Sequence, residues 1–126
     1  MSPLLPAERE SLSATVPDLA LAPLPDGSSL LSIPSLGLPT GWSAATTPVW
    51  FVVPVAYPAA QPDCFWAAAD LRLASGATPA NTGIQQLPGT QESVLWFSWH
   101  LAGWRPAVDD VSTYVRFILG RFADVC

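Results

Sequence analysis

The clearest element in this sequence is its last. Asp109 can cap a helix, Asp110 falls in the first turn, and Val111, Val115, Ile118, Leu119 and Phe122 recur at helical spacing with Tyr114 beside them. This pattern predicts an amphipathic helix over 109–122, and its apolar stripe must be buried against something. Gly120 weakens its end by about 1 kcal/mol relative to alanine. The upstream segments read as the surface it covers. LALAPL and SSLLSI flank Pro25-Asp26-Gly27, turn chemistry between two alternating segments, and predict a hairpin. PVWFVVPV at 48–55 is rich in β-branched and aromatic residues and predicts a third strand; DCFWAA, after the rigid YPAAQP, predicts a fourth. Residues 4–15 carry apolar positions behind Pro6, with Glu8 and Glu10 in the first turns, and predict a short N-terminal helix. Residues 74–94 are rich in Gly, Pro, Thr and Asn and predict a long loop. The expected class is α+β: a four-stranded antiparallel meander packed against N-terminal and C-terminal helices, in one domain over 1–126.

Length and composition bound the function. A chain of 126 residues buries roughly 65% of its unfolded surface, enough for one core. Half the residues are hydrophobic and 12% are charged. The longest apolar run, VWFVVPVAYPAA, is broken by Pro54 and Pro58 and falls short of the roughly 18 residues of a membrane span. No membrane role is expected. A net charge of −5 with no basic patch argues against nucleic acid. The start, MSPLLPAERE, lacks a basic leader, and two cysteines at 64 and 126 make no disulfide framework; both suit a reducing cytoplasm. All five basic residues are arginine, so the chain offers no side-chain amine for isopeptide modification.

The densest chemistry lies in SVLWFSWHLAGWRPAVDD at 93–110, with three of the six tryptophans and the single histidine. Trp96 and Trp104 are expected in the core, since large aromatics dominate burial. Trp99 and His100 are expected to face the 74–94 loop as a contact patch. His100 has an unperturbed pKa suited to proton transfer. With no second ligand in view it predicts no metal site, and no cofactor is expected. A Ser98, His100, aspartate triad lacks the G-x-S-x-G elbow that would support it.

The order of motifs resembles the ubiquitin-conjugating (UBC) fold, in which a Tyr-Pro-x-x-Pro-Pro stretch follows the third strand and Trp-x-Pro opens a later helix. Here these are Tyr57-Pro58-Ala59-Ala60-Gln61-Pro62 and Trp104-Arg105-Pro106. The closer resemblance is to prokaryotic ubiquitin-conjugating-like family E, whose members read YP..PPDMFW, L.L.NG..P, W..WSRH and WRPG.D. This chain has YPAAQPDCFW, LRLASGATP, WFSWH and WRPAVD in the same order, over about 57–122.

That resemblance implies a bacterial ubiquitin-like modification system, with a ubiquitin-like protein, an activating-type enzyme or a JAB-type peptidase as partner. It also implies a gene setting that at times falls in defence-like islands. The chain departs from a working conjugating enzyme in one respect that matters. The thioester cysteine belongs in the loop before Trp-x-Pro, and residues 65–125 contain no cysteine. The His-Pro-Asn element is reduced to Asn81 within Pro79-Ala80-Asn81. Cys64 stands where the family has Met, and Trp99 where it has Arg.

The expected function is therefore a conjugating-like module that binds such a partner. The alternatives are a carrier using Cys64 as an unusual nucleophile, or an unrelated small binding domain. Candidate catalytic residues are His100 and Cys64; candidate binding residues are Asp63, Asn81, Trp99, His100 and Arg105.

Overall fold

The computed structural model describes residues 18–126. Its centre is a six-stranded, wholly antiparallel sheet, with strand order β1-β2-β3-β4-β6-β5. The strands are β1 Ala20–Pro23, β2 Ser29–Gly37, β3 Thr46–Val53, β4 Phe65–Ala68, β5 Thr82–Gln86 and β6 Ser93–Phe97, followed by one helix, α1 Val111–Ala123.

This corrects the four-stranded meander flanked by two helices. The sheet has two more strands, and a single helix packs on it among the described residues. The expected N-terminal helix at 4–15 lies outside those residues. Of the added strands, β5 lies within the segment read as a loop, and β6 runs from the end of that segment into the tryptophan-rich run. Thr82–Gln86 pairs along its whole length with Ser93–Phe97, from Thr82 opposite Phe97 to Gln86 opposite Ser93. A tight turn closes the pair: the Leu87 N–H donates to the Glu92 carbonyl, Thr90 N–H donates to Leu87, and Gly89 supplies a left-handed φ of 77°. Strand β5 is an edge strand whose side chains are mostly exposed, so it never needed the apolar alternation that marks a half-buried strand.

The hairpin around Pro25-Asp26-Gly27 is present as β1 and β2. The Asp26 carboxylate accepts from the hydroxyl and from the backbone N–H of Ser28, and this bonding, the hydroxyl's first, lowers its pKa.

The sheet is widest at β2–β3, where seven residue pairs face each other, and narrows to two pairs between β3 and β4, Val49–Ala67 and Trp50–Trp66.

Period-two alternation sorts the strands into two faces. On one, Leu31, Ile33, Val49, Phe51, Phe65, Leu95 and Phe97 are buried beneath Val111, Tyr114, Val115, Ile118 and Phe122 of α1. Phe65 stacks on Phe97 with centroids 4.7 Å apart, and Phe122 meets both edge-on. The N-cap of α1 is Asp110, one residue later than the sequence suggests. Its carboxylate accepts from the Thr113 N–H at 3.0 Å while the Thr113 hydroxyl accepts the Asp110 N–H, a reciprocal capping box.

The opposite face carries a smaller cluster of Leu30, Trp66, Leu87 and Val94, with Trp50 and Trp96 packed at its margin. Here Trp50, Trp66 and Trp96 stand directly opposite one another across β3, β4 and β6. Trp96 therefore belongs to the sheet face away from the helix and is only half-buried. Trp104 is also half-buried, and its indole N–H donates to the carbonyl of Pro58 at 2.8 Å.

Candidate functional site

Strand β4 begins, and strand β6 ends, at the same corner of the sheet. Phe65 faces Phe97 there, and Phe97 in turn faces Thr82 of β5. The residues just beyond these pairs are Cys64, Ser98 and Asn81, and the Ser98 N–H donates to the Asn81 carbonyl at 2.8 Å. Cys64 and Asn81 are the non-glycine residues with left-handed backbones among the described residues, with φ of 57° and 60°. Such conformations are costly for a side-chain-bearing residue and persist where the surroundings impose them.

At Cys64 the imposition is visible. The hydroxyl of Tyr114 on α1 donates to the Cys64 carbonyl at 2.7 Å in the interior. Burial pushes the Tyr114 hydroxyl far above its ordinary pKa, so it remains a donor.

The left-handed turn has a direct consequence. In extended chain, neighbouring side chains point to opposite faces. At this corner Asp63 and Cys64 instead converge on one histidine. His100 Nδ1 lies 2.5 Å from Asp63 Oδ1 and 3.9 Å from the Cys64 sulfur. The side chains of His100 and Asp63 are exposed, whereas Cys64 is 8% exposed. Burial is the main cause that raises the Cys64 pKa and the negative charge of Asp63 adds to it, while hydrogen bonds from the Trp99 backbone and the Trp96 side chain act in the other direction.

One geometric fact limits the catalysis this group can perform. A Cys-His-Asp relay needs the carboxylate on one imidazole nitrogen and the thiol on the other. Here both face Nδ1. A carboxylate accepting from Nδ1 keeps the hydrogen there, which leaves that nitrogen no lone pair to take a proton from the thiol.

The remaining sequence candidates divide. Trp99 adjoins the corner but is half-buried, with its ring 5.1 Å from the guanidinium carbon of Arg121. Arg121 is 1% exposed and donates to the carbonyls of Ala80, Asp124 and Cys126. Asn81 is one strand away, in contact through Ser98. Arg105 engages the turn before α1: its backbone N–H donates to Asp109 at 2.8 Å and its Nε lies 3.7 Å from the same carboxylate.

Sequence reasoning named Asp63, Cys64 and His100 separately. It missed that they meet, because 36 residues separate Cys64 from His100 and only strand pairing closes that distance. It also missed Tyr114 as the residue that holds Cys64.

The model of prokaryotic E2 family E matches residues 5–124, nearly the whole chain. The chain belongs to that family. Membership in family E gives it a UBC-like, bacterial, ubiquitin-conjugation-related character. No curated protein and no solved structure matches the chain significantly. No helix among the described residues of this family E chain is long and apolar enough to cross a membrane.

Proposed function

We propose that the chain is a non-catalytic UBC-like module of a bacterial ubiquitin-like modification system, acting in the cytoplasm. In this reading it docks a ubiquitin-like protein, or the activating-type enzyme or JAB-type peptidase that handles it, without carrying the modifier as a thioester. The observation that supports this most is the state of Cys64, the one thiol inside the family motifs. It is 8% exposed, and the nearest imidazole nitrogen is already engaged by Asp63. A thioester carrier needs a thiolate open to attack by, and release to, large partners.

The polar contacts for the partner fall on the exposed Asp63–His100 pair, with Trp99, Asn81 and Arg105 at its margin. A partner that covers this pair must replace its water with matched hydrogen bonds, which makes the contact selective.

The test combines the chain with its cognate activating enzyme, modifier and ATP, and compares gels run with and without reductant. No reductant-sensitive adduct is expected, while pull-down of the modifier or its enzyme succeeds with wild type and weakens with His100→Ala. A thioester lost in Cys64→Ser would replace this reading with that of an active carrier.

A further inference from the structure

The same corner supports a second, independent reading that does not require any protein partner. We propose that Asp63, Cys64 and His100 form a zinc site with three protein ligands and a solvent-facing fourth position.

The argument starts from donor type. A thiolate, an imidazole nitrogen and a carboxylate oxygen are the three ligand classes that zinc takes, and their mixture suits a borderline ion better than magnesium or calcium. Asp63 Oδ, Cys64 Sγ and His100 Nδ1 all lie within 4.8 Å of one another. Tetrahedral zinc with bonds of about 2.0 to 2.3 Å places neighbouring ligand atoms about 3.3 to 3.7 Å apart. The sulfur-to-nitrogen separation of 3.9 Å is already close to that. The 2.5 Å contact between Nδ1 and Asp63 must open by roughly 1 Å, and it lies between two exposed side chains.

The backbone supplies the second strand of the argument. The left-handed φ of 57° at Cys64 brings two consecutive side chains to one side, which extended chain forbids, and the Tyr114 hydroxyl fixes the carbonyl of that same residue.

Binding is balanced in protons and charge. Zinc replaces the thiol hydrogen, which leaves to solvent, and the imidazole carries its one hydrogen on Nε2 once Nδ1 is a ligand. One thiolate and one carboxylate then neutralise the divalent ion. Protein donors fill three positions, and the exposed side of the Asp63–His100 pair leaves the fourth to water.

A thioether in place of Cys64 could not supply the anionic ligand. Cys64→Met is therefore the natural disabling substitution, since Met adapts readily to apolar surroundings.

The experiment uses the full chain without an affinity tag, stripped with chelator and titrated with Co2+ as a spectroscopic probe, followed by displacement with Zn2+. The expected result is one equivalent of Co2+, with tetrahedral visible bands and a thiolate-to-cobalt charge-transfer band, all removed by Zn2+. Cys64→Met should lose the charge-transfer band, and His100→Ala and Asp63→Asn should weaken binding by more than about 10-fold, the scale on which even outer-shell changes act. Cys126→Ser should behave as wild type. Circular dichroism checks each fold. Should Cys64→Met fail to fold, the exposed His100→Ala carries the test alone. A wild-type chain with no charge-transfer band, or one that loses it in Cys126→Ser, overturns the proposal.

Discussion

The hydroxyl of Tyr114, on the buried face of the helix, donates to the carbonyl of Cys64 at the start of β4, 2.7 Å away. That bond ties the last element of the chain to the corner where Asp63 and His100 meet. It makes the helix a positioning element for the candidate site as well as the lid of the core.

Tyr114→Phe keeps the ring and removes only the donor. The Cys64 carbonyl would then be buried without its partner, which costs about 1 to 3 kcal/mol. Urea unfolding should show the midpoint falling with an unchanged slope. The Cys64 thiol should also become more reactive in the folded variant, since its backbone is no longer held.

Ile118 is completely buried on the apolar face of the helix. Ile118→Asp places a charge there with no counter-charge, and the loss should reach about 4 kcal/mol or more, enough to unfold a domain of ordinary stability. A thermal melt followed by circular dichroism reads this directly. An unchanged melting temperature would mean that this face is not the core.

The two thiols should be kinetically distinct. Cys126 is exposed and Cys64 is buried, and burial also raises the Cys64 pKa and depletes its thiolate. In native protein one thiol should react quickly with a chromogenic disulfide reagent and the second slowly, and Cys126→Ser should remove the fast phase. Denaturant should merge the two.

On the far face of the sheet, Trp66 is 8% exposed, whereas its neighbour Trp96 is half-buried. Trp66→Ala should cost about 3 to 5 kcal/mol, the range for a buried tryptophan, and Trp96→Ala about half of that. Paired urea titrations check the order. A larger loss at Trp96 would show that burial does not set the order on this face.

What could be read in the chain beforehand follows a physical rule. The helix and the first hairpin declared themselves because a buried stripe and a two-ended turn each leave a local pattern. Strand β5 did not. Thr82–Gln86 lies on an edge, holds Ile84 in solvent, and draws its stability from backbone pairing that any sequence can supply. Trp96 was misplaced for a related reason: beside Phe97 in a strand it must take the other face, so the two cannot share one core. The motif order identified the family, but the corner itself was hidden. Its assembly depends on a left-handed cysteine where glycine would normally advertise such a turn, and on pairing between β4 and β6, neighbours in the sheet that β5 separates in sequence.

The narrow seam between β3 and β4 also bears on how the molecule is made. Strands β1 to β3 form one local unit and β5 with β6 another, and the four residues of β4 join them. During synthesis all six strands leave the ribosome before the helix does. Until Val111–Ala123 emerges, the nascent sheet holds Phe51, Phe65 and Phe97 uncovered, a sticky surface that the finished molecule hides completely. The last thirteen-residue helix is thus the chain's own chaperone for that surface, and the interval before it arrives is when the protein is most exposed to aggregation.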